Sequence, residues 1–197
     1  MPWSPDTAFV EGLGFFSASV ALLHVSDSQH PSSCSEWTAL DVVGHVGTAV
    51  GFGTEILCGG QPVWAPSDPP GANVVGDPRS WWDALVDPAR QAVANVDLTM
   101  VVESSVGRRT VGGGLSFPAL DLFVHAWDLA RSIGRDVVIP TPAIEFAHVV
   151  LGPIPSEQLR SPRVFGDAVD APADASHSEA FIAWTGRDPR WTLPTEG

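Results

Sequence analysis

The chain has no lysine. Its ten basic residues are all arginine, against 23 Asp and Glu, and the formal net charge is −13. A surface of that sign repels phosphate backbones, which excludes nucleic acid as a partner and disfavours an anionic membrane surface. Cysteine is scarce. Cys34 and Cys58 are the only two, too few for a disulfide framework. No apolar run reaches the length of a membrane span, because Gly, His or Asp interrupts each one. The opening Met1-Pro2-Trp3-Ser4-Pro5-Asp6 has no basic stretch of the kind that begins a secretory signal. A cytoplasmic protein is expected. At 197 residues and 44% hydrophobic, the chain suits one compact domain with a core that needs no staple.

Hydrophobic periodicity predicts helices over 6–25, 38–58, 80–96 and 116–133. Thr38 followed by Asp41 reads as a capping box at the start of the second, and Gly59-Gly60 ends it. Pro88 is expected to kink or split the third. Residues 59–79 form a long loop rich in Pro, Gly and Asp, of a length that is often functional. Residues 98–111 read as a short hairpin or extended linker, and Gly112-Gly113-Gly114 as a flexible joint. Further short helices are expected over 140–152 and 174–185, the latter opened by Asp174. Gly186-Arg187-Asp188-Pro189-Arg190-Trp191 reads as a docked turn anchored by its Trp. The fold class is mainly all-α. A four-helix bundle with a crossover connection spans 1–136, and a small extension, 137–197, packs on it as part of one unit.

Two segments carry chemistry. On the second helix, His45 lies within the apolar stripe Thr38, Val42, His45, Ala49, Phe52, Ile56. On the fourth, Asp121, His125, Asp128 and Ser132 share one narrow stripe. That stripe is either the exposed face of an amphipathic helix or a built site. Short Asp, Ser and imidazole are poor helix formers, which favours the site. A carboxylate and an imidazole at i and i+4 point the same way and can share an ion. His45 alone reads as a hydrogen-bonded core histidine; facing Asp121 and His125, it becomes a third ligand. Two nitrogens and a carboxylate leave one position open on zinc or a similar divalent metal. Asp128 either orients His125 or Trp127 from behind or bonds to backbone.

The remaining candidates are weaker. His24, His30, His148 and His177 read as structural or surface residues. Cys34, at a helix entrance, reads as packing, with no base beside it to make it a nucleophile. Arg108 and Arg109 either hold an anionic substrate or are solvated. Trp64, Trp81 and Trp82 are candidates to line a pocket.

Cys34-Ser35-Glu36-Trp37-Thr38-Ala39-Leu40-Asp41-Val42-Val43-Gly44-His45 resembles the C-x-x-W-T-v-x-D-l-v-x-H segment of the mycothiol-dependent maleylpyruvate isomerase family, within the DinB-like metalloenzyme superfamily. The stretch 121–136, DLFVHAWDLARSIGRD, resembles that family's E/D-x-x-x-H-x-w-D-l-A-r-a-x-G helix. The stretch 180–191, AFIAWTGRDPRW, resembles the ending of a short actinobacterial branch. The resemblance implies a DinB-like bundle and a divalent metal, zinc in the best-understood members, with His45, Asp121 and His125 as ligands. Asp121 stands where those enzymes look to have Glu. One methylene less draws the ion closer to the fourth helix. Residues 137–197 fall short of the larger C-terminal domain those enzymes carry, so their substrate-binding arginine has no assigned position. The resemblance further implies chemistry on a low-molecular-weight thiol such as mycothiol, by isomerisation or S-transfer on a small electrophilic substrate. A thiol-independent metal-assisted isomerase, cyclase or hydrolase and a non-catalytic small-ligand-binding bundle are the alternatives. The partner is a small molecule, and a homodimer is compatible with the reading.

Overall fold

In a computed structural model, the described residues are 3–94, 96–105, 107–160 and 164–194. Four long helices make the bundle: α1 (Pro5–Val20), α2 (Ala39–Leu57), α3 (Pro78–Val93) and α4 (Val111–Ser132). A two-stranded antiparallel hairpin, β1 (Val101–Ser104) and β2 (Gly107–Thr110), lies between α3 and α4. The short helices α5 (Thr141–Leu151), α6 (Ser156–Leu159) and α7 (His177–Trp184) follow. The fold is mainly α, as the periodicity predicts. Among the described residues no helix is long and apolar enough to cross a membrane.

Both α1 and α2 pack against α3 and α4. Consecutive helices α1 and α2 therefore sit on a diagonal, as do α3 and α4, and the connections cross the bundle. The core between them is apolar: Leu13, Phe16, Val42, Val46, Trp82, Leu122, Phe123 and Leu129 are all buried. Gly12 lets α1 and α4 approach. A Cβ there would stand 2.9 Å from the Leu122 Cβ, closer than packed carbons tolerate.

α2 begins where its capping box predicts. Thr38 Oγ1 accepts from the Asp41 amide, and an Asp41 carboxylate oxygen accepts from the Thr38 amide. The other Asp41 oxygen accepts from the Gly71 amide at 2.8 Å. That bond draws the short turn Pro70–Asn73 across the start of α2. The crossing passes directly over Gly44, where a Cβ would lie 2.2 Å from the Pro70 carbonyl oxygen.

Four features differ from expectation. α1 ends at Val20, short of residue 25, and a short turn over Val25–Asp27 follows. α3 runs unbroken through Pro88. The three glycines 112–114 are no joint but the first turn of α4. Backbone carbonyls upstream of the hairpin account for this. Met100 accepts from the Val111 amide and Leu98 from the Gly112 amide, each at 2.9 Å. The Thr110 hydroxyl accepts from Gly113. The amides that a helix start leaves open are thus taken, and Pro118 falls in the helix interior. α7 begins at His177 rather than at Asp174, because Ser176 and Glu179 form the capping box there.

Candidate functional site

α2 and α4 pack side by side and turn their polar positions toward one cavity of about 940 Å³. His45, Asp121 and His125 all line it. The nearest His45 and Asp121 atoms, Nε2 and Oδ2, are 3.9 Å apart. The two imidazole centroids are 4.9 Å apart, edge to face. Trp37, one residue before the cap of α2, lies over both rings, at 4.8 Å from His45 and 5.7 Å from His125. The cap therefore also places an aromatic wall.

The stripe on α4 is no solvent face. His125 is 6% exposed, and Asp128 and Ser132 are fully buried. Asp128 Oδ2 sits 2.8 Å from His125 Nδ1. It also accepts from Arg187 Nη2 at 2.8 Å, while Oδ1 accepts from Arg187 Nε at 2.7 Å and from the Ser33 hydroxyl at 2.6 Å. Arg187 thus grips the carboxylate with two parallel bonds. Burial would raise the Asp128 carboxyl, but the Arg187 charge and the His125 bond overcome it and hold it far below the ordinary carboxylate range. Asp128 is an anion, so it accepts, and His125 Nδ1 carries the proton. Burial pushes the His125 imidazolium down, against the pull of Asp128. The ring is neutral, with its lone pair on Nε2.

Burial alone would raise the Asp121 carboxyl. The hydrogen bond from the His45 imidazole, with the charge of Arg187 beyond it, outweighs burial and holds the group low. Asp121 is an anion facing two imidazoles. That donor set matches a site for zinc or a similar ion. Two ligand atoms on a tetrahedral ion at about 2.1 Å stand roughly 3.4 Å apart, against 3.9 Å for His45 Nε2 and Asp121 Oδ2. Among the described residues no group of three or more His, Cys, Asp or Glu stands in an arrangement that could hold a metal ion as the side chains now lie. The donor types fit, and the spacing is that of an open set.

The other candidates separate cleanly. Cys34 lines the cavity, but burial and then the Asp128 charge push its thiol up to about 12, so it is no nucleophile at neutral pH. Trp64 lines the cavity. Trp82 does not: it is buried against Phe16 and donates to the Ser17 hydroxyl. Trp81 packs against Gly47. Arg109 lines the cavity, and Arg108 pairs with Glu103. His30 Nδ1 lies 3.1 Å from the Ser132 carbonyl, a structural bond. His148 and His177 lie near each other on α5 and α7. Arg187 and Ser33 carry no functional assignment in the sequence reading. The signal for Arg187 was the docked turn after α7 together with Asp128, a short acid inside a helix stripe that needs a counter-charge.

Comparison with known proteins follows the same segment. Residues 11–130 match the profile of the mycothiol maleylpyruvate isomerase N-terminal domain. Over 189 residues the chain is 27% identical to an uncharacterised protein of Mycobacterium tuberculosis, found in strains H37Rv and CDC 1551; the match covers 89% of this chain and 93% of that protein. The fold resembles the crystal structure of the mycothiol-dependent maleylpyruvate isomerase, with a TM-score of 0.57 at 16% identity, and that of a histidine-to-alanine mutant, with 0.59 at 15%. In both cases 72% of this chain aligns, and it spans 65% of the other chain. The matched segment runs from within α1 to near the end of α4 and holds His45, Asp121 and His125; the chain belongs to the mycothiol maleylpyruvate isomerase N-terminal domain family.

Proposed function

We propose that this protein is a metal-dependent enzyme that activates a low-molecular-weight thiol, mycothiol in the first instance, for isomerisation or S-transfer on a small electrophile. The observation that carries the reading is the convergence of His45, Asp121 and His125 on one cavity, with His125 locked from behind by Asp128 and Arg187. In this reading His45, Asp121 and His125 hold a divalent cation, zinc by donor type. Such an ion lowers the pKa of a thiol that reaches it.

The protein's own residues do the rest. Asp128 keeps the proton of His125 on Nδ1 and so presents Nε2 to the cavity. Trp37 covers both imidazoles and limits water around them. Asp121 supplies the negative charge that balances a cation. A cavity of about 940 Å³ has the volume for a thiol and a small electrophile. Residues 137–197 belong to the same working unit as the bundle, since Arg187 completes the support of His125.

Elemental analysis of the purified protein tests the proposal. The expected result is close to one divalent ion per chain, lost in His45→Ala and His125→Ala. Turnover that requires added mycothiol supports the thiol role; turnover without it assigns the thiol-independent alternative. A folded, metal-free protein indifferent to chelator refutes the enzymatic reading.

A further inference from the structure

The cavity is far larger than the polar corner that holds His45, Asp121 and His125. Its volume of about 940 Å³ lies near the top of the range for small-molecule sites. α2 builds one wall from a single face: His45, Ala49, Phe52 and Ile56 follow at helical spacing, and all line the cavity. Trp64, from the loop after α2, stands edge-on to Phe52 with centroids 5.1 Å apart. Ser105, in the hairpin turn, accepts from the Trp64 amide at 2.9 Å and pins that loop in place. Leu115 and Phe117 of α4 also line the cavity. One end of the space holds His45, Asp121 and His125, and most of the remaining lining is apolar.

The charges complete the argument. The ionisable side chains on the walls include Asp68 and Asp121, which oppose an anion, and Arg109 and Arg187. Arg187 is already matched by two bonds to a buried carboxylate. Arg109, on the exposed strand β2, also lines the cavity. Away from the corner of His45, Asp121 and His125, the described walls are largely aromatic and branched surface, which rewards an uncharged hydrocarbon body.

We propose that this cavity takes a substrate with an extended, uncharged apolar body, aromatic or branched, its single reactive polar group directed to His45, Asp121 and His125. The proposal deepens the function given above and rests on it for the reacting end. The apolar arm stands on its own lining residues.

Gly53 provides the test. It lies on the cavity wall in α2, and a Cβ built there meets nothing within 4 Å. Gly53→Leu therefore adds a side chain to this wall from a Cβ that meets no neighbour, and it improves helix propensity. The probe is N-phenyl-1-naphthylamine, a neutral apolar fluorophore, titrated into the intact protein. Saturable one-to-one binding is expected, weakened about tenfold or more in Gly53→Leu. Ile56→Asp, which places a charge in the same wall, has the same effect and serves as the second variant. Thermal unfolding checks that each variant is folded. Unchanged probe affinity in both folded variants overturns the proposal. Elemental analysis of the same samples keeps the two readings apart. Metal-free protein that still binds the probe through Gly53 refutes the enzymatic reading and leaves the apolar arm standing. Metal-loaded protein whose probe binding ignores Gly53 does the reverse.

Discussion

Replacing Arg187 by Met removes the positive partner of a carboxylate that has no access to water. Asp128 is fully buried, and the Arg187 side chain is 11% exposed. The substitution keeps most of the hydrocarbon length and deletes two hydrogen bonds of 2.7 and 2.8 Å. Breaking a buried pair by removing one partner costs about 3–5 kcal/mol, because the other charge is left uncompensated. For a chain of this size that corresponds to a fall of roughly 6–20 °C in Tm. Urea unfolding at neutral pH, followed by the far-ultraviolet circular dichroism of the helices, measures it directly. The pH dependence adds a second constraint. The folded-state pKa of Asp128 lies below its ordinary value of 3.8, so the carboxylate contributes stability at pH values above that point. The contribution is lost as pH falls from about 4 through the depressed folded-state value. The gap between wild type and Arg187→Met is therefore full at pH 6–7 and narrows in acid. Adding Asp128→Asn to Arg187→Met removes the stranded charge and recovers part of the loss, so the double-mutant cycle is strongly non-additive. A gap under about 1 kcal/mol at pH 7, or a gap that widens toward acid, refutes the assignment of this pair as a buried ionic clamp.

Other expectations are simpler. Gly44→Ala drives a methyl into the Pro70 carbonyl and is expected to destabilise the fold by about 1–3 kcal/mol, read by the same unfolding curves. Thr38→Ala deletes the α2 cap and costs about 1 kcal/mol. At pH 8 iodoacetamide modifies exposed Cys58 and spares Cys34, whose thiol is raised to about 12; mass spectrometry shows one adduct on folded protein and two after denaturation. Asp128→Asn leaves His45, Asp121 and His125 in place but weakens metal retention by roughly 10–100-fold, measured by competition with a chromogenic chelator.

The parts of this molecule that are legible in the sequence are those fixed locally. Thr38 and Asp41 lie three residues apart and cap their own helix, so the start of α2 needs no tertiary information. Asp121, His125 and Asp128 share a stripe because they share a helix. The misread elements are set by distant partners. Three glycines look like a joint until the carbonyls of Leu98 and Met100 occupy the amides at residues 111 and 112. Trp82 looks like a pocket residue until Ser17 takes its indole N–H inside the core. Arg187 lies 59 residues from Asp128, and no periodicity links a docked turn to a helix that far upstream. What sequence offered there was half a pair: an acid within a stripe that the structure turns inward.

The clamp on Asp128 also has an architectural consequence. The four long helices bring His45, Asp121 and His125 together, yet the guanidinium that neutralises the charge behind His125 comes from a turn beyond α7, outside the matched segment 11–130. A transplant of the helices alone would carry a bare anion at its centre. Ribosomal synthesis meets the same order of events: the corner of His45, Asp121 and His125 is made first, and its charge is balanced only when the later turn that carries Arg187 swings back and docks.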